Sequence, residues 1–327
     1  MKGLSDLQII KGDGVVKCIL CPKTCILKEG QSGLCSARKN VSGSIVNLGY
    51  GQITSIAMDP IEKKPLFHFK PGKQILSIGG FGCNLSCLFC QNHRISKGSP
   101  NSYCLSPEDL VGKIIEDPKN TGIAFTYNEP LINYEYIMDV SRLLKSINPN
   151  KSVVLVTNGY INEKPLEVLL DYVDAVNLDI KSIENSFYKK ICSATVDQVL
   201  DNVKLINKKV HLEITNLIIG GFNDGTKDIE KLVDFISKID KSIPIHFSRS
   251  FPAYRMPEIY TSQEAVLSAM TIAEKYMDYV YGGNMERVDN NTYCKVCGNK
   301  LIERSYYGVS INNKIEKSCC RNNNIVY

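Results

Sequence analysis

Beyond residue 74 the hydrophobic pattern changes period in a regular way. Short apolar runs, which read as buried strands, alternate with longer stretches whose apolar residues recur every three to four positions, the helical signature. Strands are expected at 74–78, 122–127, 152–157, 174–180, 210–219 and 244–248, and helices at 132–144, 165–172, 196–207, 227–239 and 262–276. A further helix opens at Ser106, with Pro107 at its first position and Glu108 and Asp109 in its first turn. Successive strand–helix units imply a parallel sheet, because each helix carries the chain back to begin the next strand. The pattern predicts an α/β fold and leaves two forms of it open, a doubly wound sheet and an incomplete barrel.

Polar residues collect where these strands end: Asn128-Glu129, Thr157-Asn158 and Asp179-Ile-Lys181. Both architectures put active sites at that end. Asp179 and Lys181 lie two apart and so share a face, as do His211, Glu213 and Thr215 on the fifth strand and His246 and Ser248 on the sixth. Inward-facing polar residues of this kind either line a channel or satisfy one another. Tyr254-Arg255-Met256 follows the sixth strand as a segment placed to cover a pocket. Outside this core the periodicity fades. A Cys-rich N-terminal segment at 1–66, a core at 67–283 and a C-terminal segment at 284–327 are expected, the two flanks being too small to fold without metal staples.

Composition narrows the function. Of 327 residues, 43% are hydrophobic and 22% charged, proportions of a soluble globular protein. Thirty-nine Lys and Arg against 34 Asp and Glu leave a charge of +5, too mild and dispersed to argue for nucleic acid or a membrane surface. No apolar run approaches the ~18–20 residues of a spanning helix, and the first residues lack a secretory h-region, so a cytoplasmic location is expected. The informative number is 13 cysteines, most of them clustered. In a reducing compartment, clusters of thiols indicate metal ligation. Cys104 and Cys192 stand alone and read as small buried hydrophobes.

The central cluster, Gly82-Cys83-x3-Cys87-x2-Cys90, directly follows the first strand. Three thiolates can hold one face of a cubane iron–sulfur cluster and leave one iron open to a small molecule. A zinc knuckle with a distant fourth ligand is the plainer alternative. Cys18, Cys21, Cys25 and Cys35 form a complete four-thiol set, suited to zinc or to a closed iron–sulfur cluster, with a structural or electron-transfer role. Cys294 and Cys297 resemble half a zinc ribbon, whose second half is replaced by adjacent Cys319 and Cys320. Either one of that pair completes a three-thiolate site or the ribbon binds nothing.

The Cys83–Cys90 loop resembles the signature of radical S-adenosylmethionine (SAM) enzymes, and the resemblance runs over residues 67–283. It implies a partial (β/α)6 barrel and a [4Fe-4S] cluster on Cys83, Cys87 and Cys90. The open iron of that cluster chelates SAM, and one electron cleaves SAM to methionine and a hydrogen-abstracting 5′-deoxyadenosyl radical. Tyr127-Asn-Glu129-Pro130 is similar to the family's Gly-Gly-Glu-Pro segment, with only Glu129 and Pro130 matching, and implies Glu129 on the methionyl ammonium. Asp179-Ile-Lys181 resembles the Asp-x-Lys pair that activases place near the ribose. Thr157, Asn158 and His246 complete the implied cofactor-binding set, an electron donor of flavodoxin or ferredoxin type is implied, and the work is anaerobic. Cys-x2-Cys-Pro, Thr-Tyr-Asn-Glu-Pro, Leu-Asp-Ile-Lys, His-Leu-Glu-Ile-Thr and Ser-Arg-Ser-Phe-Pro-Ala-Tyr-Arg-Met are together similar to AmmeMemoRadiSam-system radical SAM enzymes, relatives of pyruvate formate-lyase activating enzymes.

The substrate stays open among a small molecule, an RNA and a protein. Three classes are carried forward: an oxidoreductase on such a substrate, an activase that places a radical on a glycine of a partner protein, and a non-catalytic module of zinc knuckles.

Overall fold

The structure is a computed structural model that describes residues 7–305, 308–312, 318–321 and 323–327. Its centre is one sheet of eight strands: β1 (Ser55–Pro60), β2 (Gln74–Gly79), β3 (Asn120–Phe125), β4 (Ser152–Thr157), β5 (Ala175–Asp179), β6 (His211–Ile218), β7 (Ile245–Arg249) and β8 (Val280–Gly283). They lie side by side in chain order, and β2 to β8 are all parallel. The six crossovers are carried by α1 (Pro107–Glu116), α2 (Tyr134–Ile147), α3 (Glu163–Leu170), α4 (Asp197–Lys209), α5 (Thr226–Asp240) and α6 (Gln263–Ala273). The strand order does not close on itself, so the sheet is a partial barrel of six βα units with an added final strand.

Local chemistry explains the frame. β4 is buried along nearly its whole length, as a parallel strand covered on both faces must be. Ser106 caps α1 by accepting the Asp109 N–H, and Ser262 caps α6 by accepting that of Ala265. In α2 the face carrying Ile137, Val140, Ser141 and Leu144 is buried while Asp139 and Arg142 turn outward, the 3.6-residue stripe visible in the sequence.

Two sheet edges lie outside the expected strands. β1 pairs antiparallel with β2, and its Ile56 and Met58 are partly exposed, which weakens the period-two signal. β8 contains Gly282 and Gly283 and pairs with β7; a Cβ at Gly282 would crowd Met270 and one at Gly283 would strike Ser248, so the close packing there calls for glycine. Of the two lone cysteines, Cys192 is buried as expected, whereas Cys104 is exposed.

The flanks dock on this core. At the N-terminus a three-stranded antiparallel sheet (Gln8–Gly12, Val15–Cys18, Ile26–Leu27) precedes a hairpin (Arg38–Val41 with Ser44–Asn47). Arg38, 2% exposed, makes a two-pronged ion pair with Glu135 of α2 at 2.6 and 2.9 Å. At the C-terminus Thr292–Tyr293, Lys300–Ser305 and Gly308–Ile311 form a second small antiparallel sheet. Among the described residues no helix is long and apolar enough to cross a membrane.

Candidate active site at the barrel mouth

Beyond the C-terminal ends of β2 to β7 lies a cleft with about 1170 Å³ of space free of protein atoms, its mouth included. Cys83, Cys87 and Cys90 line it together with Glu129, Thr157, Asn158, Asp179 and Lys181. Eight of the nine side chains expected to hold the central cluster and SAM therefore meet in one place, although β2 and β5 are a hundred residues apart in the chain.

The cysteine loop is held from several sides. Gly82 is left-handed at φ +85°, and its α-carbon packs so tightly on the Cys35 carbonyl that no side chain fits. Asn128 ties the loop's base, accepting the Gly80 N–H at 3.0 Å and donating to the Gly82 carbonyl at 3.0 Å. Ser86 and Leu88 donate their N–H groups to the carbonyls of Cys192 and Ile191, in a π-helical turn over Tyr188–Cys192. The Arg255 N–H donates to the Leu88 carbonyl, so Tyr254-Arg255-Met256 does reach the cysteine loop. The Cys83 sulfur accepts the Leu85 N–H at 3.4 Å and the Asn158 amide at 3.7 Å. Burial raises the Cys83 and Cys90 thiols above their ordinary values, so without a metal to displace their protons they stay neutral. Three thiols converging on one cleft, with amide donors aimed at a sulfur, would suit the three thiolate ligands of an iron–sulfur cluster.

Glu129 is 2% exposed. One carboxylate oxygen accepts the Leu131 N–H at 3.0 Å and the Thr157 hydroxyl at 2.6 Å, and the other accepts the Asn158 N–H at 2.8 Å. Burial nonetheless lifts its pKa to about 7. Across the cleft Lys181 pairs with Asp179 at 2.7 Å. Burial opposes the Lys181 charge, but Asp179 beside it holds the ammonium above its usual range.

His246 is not in this cleft. It sits lower in the barrel, where Glu213 binds it at 2.7 Å and His211 at 3.0 Å. The same carboxylate accepts the N–H groups of Phe67 and His68 at 2.9 and 2.7 Å. Burial pushes Glu213 up, but the two imidazoles hold it well below the ordinary carboxylate range. Four donors consume its oxygens, so this layer satisfies itself and plugs the barrel. Asn177, bonded to Thr215 at 3.0 Å and to the Pro65 carbonyl at 2.8 Å, forms the floor above it.

A trio absent from the sequence reading completes the wall. Tyr127, at the first glycine position of the family segment, keeps a left-handed backbone at φ +69°. Its hydroxyl donates to Asp59 at 2.7 Å, and the Lys64 ammonium lies 4.8 Å from its ring and 2.7 Å from Asp59. Lys64 is 2% exposed and lines the cleft. The string Lys63-Lys64-Pro65 was its one signal, and charge alone gave it no partner.

At the C-terminus the sulfurs of Cys294, Cys297, Cys319 and Cys320 lie within 4.8 Å of one another. The adjacent pair thus contributes both thiols, correcting the expectation of a three-thiolate site. Four sulfurs this close match one tetrahedral ion with metal–sulfur bonds of about 2.3 Å.

A model of the radical SAM superfamily matches residues 77–236. Over 318 residues, 94% of each chain, the sequence is 40% identical to the uncharacterized protein MJ0808 of Methanocaldococcus jannaschii. It is 25% identical over 170 residues, 49% of this chain and 67% of the relative, to a pyruvate formate-lyase-activating enzyme of Staphylococcus epidermidis. The Streptococcus suis protein SuiB bound to precursor peptide SuiA shares the fold, with TM-score 0.50 and 14% identity over 69% of this chain and 51% of that one. With the barrel, the three-cysteine loop and these matches in hand, the chain belongs to the radical SAM superfamily, whose members use a [4Fe-4S] cluster and SAM. Within it, the archaeal protein MJ0808 is the relative that it resembles along nearly its whole length.

Proposed function

We propose that the chain is a radical SAM oxidoreductase that binds its cluster on Cys83, Cys87 and Cys90 and SAM in the cleft beside them. The observation that carries this reading is the convergence of three thiols and one buried carboxylate on a single cleft at the strand C-termini. When bound, cluster and SAM supply one-electron cleavage of the sulfonium to methionine and a 5′-deoxyadenosyl radical that abstracts hydrogen from the substrate.

The chain's own residues orient and shield. Glu129, fixed by Thr157 and Asn158, takes the methionyl ammonium, a charge-assisted contact in a buried place. Asp179, with one oxygen on Lys181, offers the other to a ribose hydroxyl. The Lys64–Asp59–Tyr127 trio closes the wall behind and excludes water. His246 positions Glu213 rather than touching SAM. The reading takes with it a low-potential donor of flavodoxin or ferredoxin type and a reducing, anaerobic cytoplasm.

The test is anaerobic reconstitution with iron, sulfide, SAM and dithionite, followed by assay for 5′-deoxyadenosine. The intact protein is expected to form it. The variant with Cys83, Cys87 and Cys90 all replaced by alanine is expected to form none, and undiminished cleavage there would sink the reading.

A second reading is favoured by the similarity to activating enzymes: the radical is passed to a glycine of a partner protein. The motif string from Cys18 to Met256 supports the AmmeMemoRadiSam-system branch and leaves the substrate unnamed. A stable glycyl-radical signal on a candidate partner after incubation with SAM and reductant distinguishes the activase from an enzyme acting on a small molecule or RNA.

A further inference from the structure

A second hollow lies under the N-terminal segment. Cys18, Cys21, Cys25 and Cys35 ring it, Leu20, Leu27 and Ile132 complete an apolar wall, and it encloses about 370 Å³ of space free of protein atoms, its mouth included. Turn geometry brings the thiols there. The Cys18 N–H donates to the Cys25 carbonyl at 2.9 Å, and Thr24 turns the chain back with φ +42°. The Gly33 N–H donates to the Arg38 carbonyl at 2.7 Å, which folds Cys35 over the opening.

Three observations bear on what the hollow takes. At the C-terminal group the four sulfurs close to within 4.8 Å. Among the described residues the N-terminal four do not close in this way; they stand around a space instead. A lone zinc ion, bound at about 2.3 Å from each sulfur, needs the closed arrangement. A cubane cluster needs the open one, because each thiolate sits on a different iron with the cluster body between them.

The second observation is Gly33. Its backbone is not left-handed, and the nearest atoms to a Cβ there would be the Arg38 carbonyl at 3.6 Å, the Cys25 sulfur at 3.7 Å and the Cys35 sulfur at 3.8 Å. These are ordinary contacts, so nothing in the protein itself demands a glycine. What a side chain would enter is the space between two thiols.

The third is a shared wall. Asn84 lines this hollow, whereas its chain neighbours Cys83 and Leu85 line the cleft at the barrel mouth. Cys35 and Gly82 pack backbone to backbone. Asn84 bonds onward to Asn158 at 3.0 Å, and Asn158 to the Cys83 sulfur at 3.7 Å.

We propose that Cys18, Cys21, Cys25 and Cys35 ligate a closed [4Fe-4S] cluster that feeds electrons through the Asn84 wall to the cluster at the barrel mouth. In each transfer the N-terminal cluster goes from the 1+ to the 2+ state and the central one from 2+ to 1+. No proton moves and no bond is made or broken. A low-potential one-electron protein donor, for which dithionite stands in, restores the N-terminal cluster. The electron-feeding role rests on the function proposed above, whereas the cluster's presence does not.

The experiment uses the full chain, purified anaerobically, with Cys83, Cys87 and Cys90 replaced by alanine. About four irons and four sulfides per chain are expected to remain, giving after dithionite a [4Fe-4S]⁺ resonance that SAM leaves unchanged. The converse variant, Cys21→Ser with Cys25→Ser, should lose about half the iron of the intact protein and keep a SAM-sensitive resonance. With a ferredoxin as donor its central cluster should reduce at least about tenfold more slowly, the signature of a lost relay. Gly33→Val, whose backbone tolerates the change, should retain native circular dichroism and lose the same four irons. Two zinc ions per chain in place of iron at the N-terminal site, or unchanged iron in both the Cys21/Cys25 and Gly33 variants, would overturn the assignment. Unchanged reduction rates would overturn the relay alone. A SAM-insensitive resonance in the intact protein would instead count against the radical SAM reading, with the iron of the first variant still deciding the N-terminal site.

Discussion

Glu129 accepts three hydrogen bonds and still has its pKa raised to about 7 by burial, so at neutral pH its charge is only half secured. In the proposed reading a docked ammonium secures the rest. Two outcomes follow at this scale. Because the carboxyl protonates below about 7, SAM affinity should weaken by up to tenfold for each pH unit below that point and level off above it. Equilibrium SAM titrations of the reconstituted protein between pH 5.5 and 8.5 check this. Glu129→Gln keeps the shape and removes the charge. A charge-assisted bond contributes roughly 1.5–3 kcal/mol, so affinity should fall by about ten- to a hundredfold and the pH dependence should vanish. Iron content should not change, since the three thiols stand apart from that side chain. The residue was legible before the fold because Glu129-Pro130 is a local signature. Its neighbour trio was not, because Asp59, Lys64 and Tyr127 meet only once β1 has paired with β2 and the loop after β3 has turned left-handed at Tyr127.

Among elements, the joint between the N-terminal hairpin and α2 depends on one guanidinium. Arg38 is 2% exposed, and Glu135 receives both its prongs along with the Asn47 amide at 2.8 Å. Arg38→Ala leaves Glu135 facing a hole without its countercharge, and breaking a buried pair in this way costs about 3–5 kcal/mol. The expected readout is a lower denaturant midpoint together with faster proteolysis before residue 55, while Glu135→Gln is milder because an amide still accepts from Arg38. The strands and helices of the core were readable within a few residues, since continuously buried strands and helices with one buried stripe leave the apolar runs and the 3.6-residue period that the sequence shows. β1 and β8 were not. One exposes apolar side chains at a sheet edge and the other has two glycines, and in each case the pairing partner, not the residue preference, makes the strand. The role of His246 is ambiguous in the sequence for a related reason. Its strand-facing pattern is identical for a ligand and for a partner of Glu213, and only the depth of the residue in the barrel separates them.

For the molecule as a whole, the C-terminal tail is sewn to the barrel through His68. Its Nδ1–H donates to the Asn323 and Asn324 carbonyls at 3.1 and 3.2 Å, and its Nε2 accepts from Tyr281 at 2.7 Å, the contact that requires the neutral ring. Burial lowers its pKa from 6.5 to about 3. Between these values the unfolded chain binds the extra proton and the folded one does not, so stability rises with pH across that window and is lost as pH falls, by up to about 1.4 kcal/mol per unit. Glu213, held low by its imidazoles, contributes in the same sense: its share is present above the unfolded carboxylate value and is lost on further acidification. Urea unfolding at pH 7 and pH 5 should therefore show a lower midpoint at pH 5, and His68→Gln should flatten the difference. Phe67 and His68 also pack on Tyr281 and Tyr279 with ring centres 4.8 and 4.4 Å apart, and Arg304 lies 4.4 Å from the Phe67 ring.

This plug has a kinetic meaning. A vessel stopped at its base is entered from the cleft, and in the proposed reading SAM occupies the inner berth beside the cysteine loop while the hydrogen donor stands nearer the rim. Arrivals are then queued: SAM enters first, the second molecule follows, and departures run in reverse. Steady-state turnover should obey a compulsory order, so an inert analogue of the second substrate should inhibit uncompetitively against SAM. A noncompetitive pattern would mean that SAM can slip past an occupied rim.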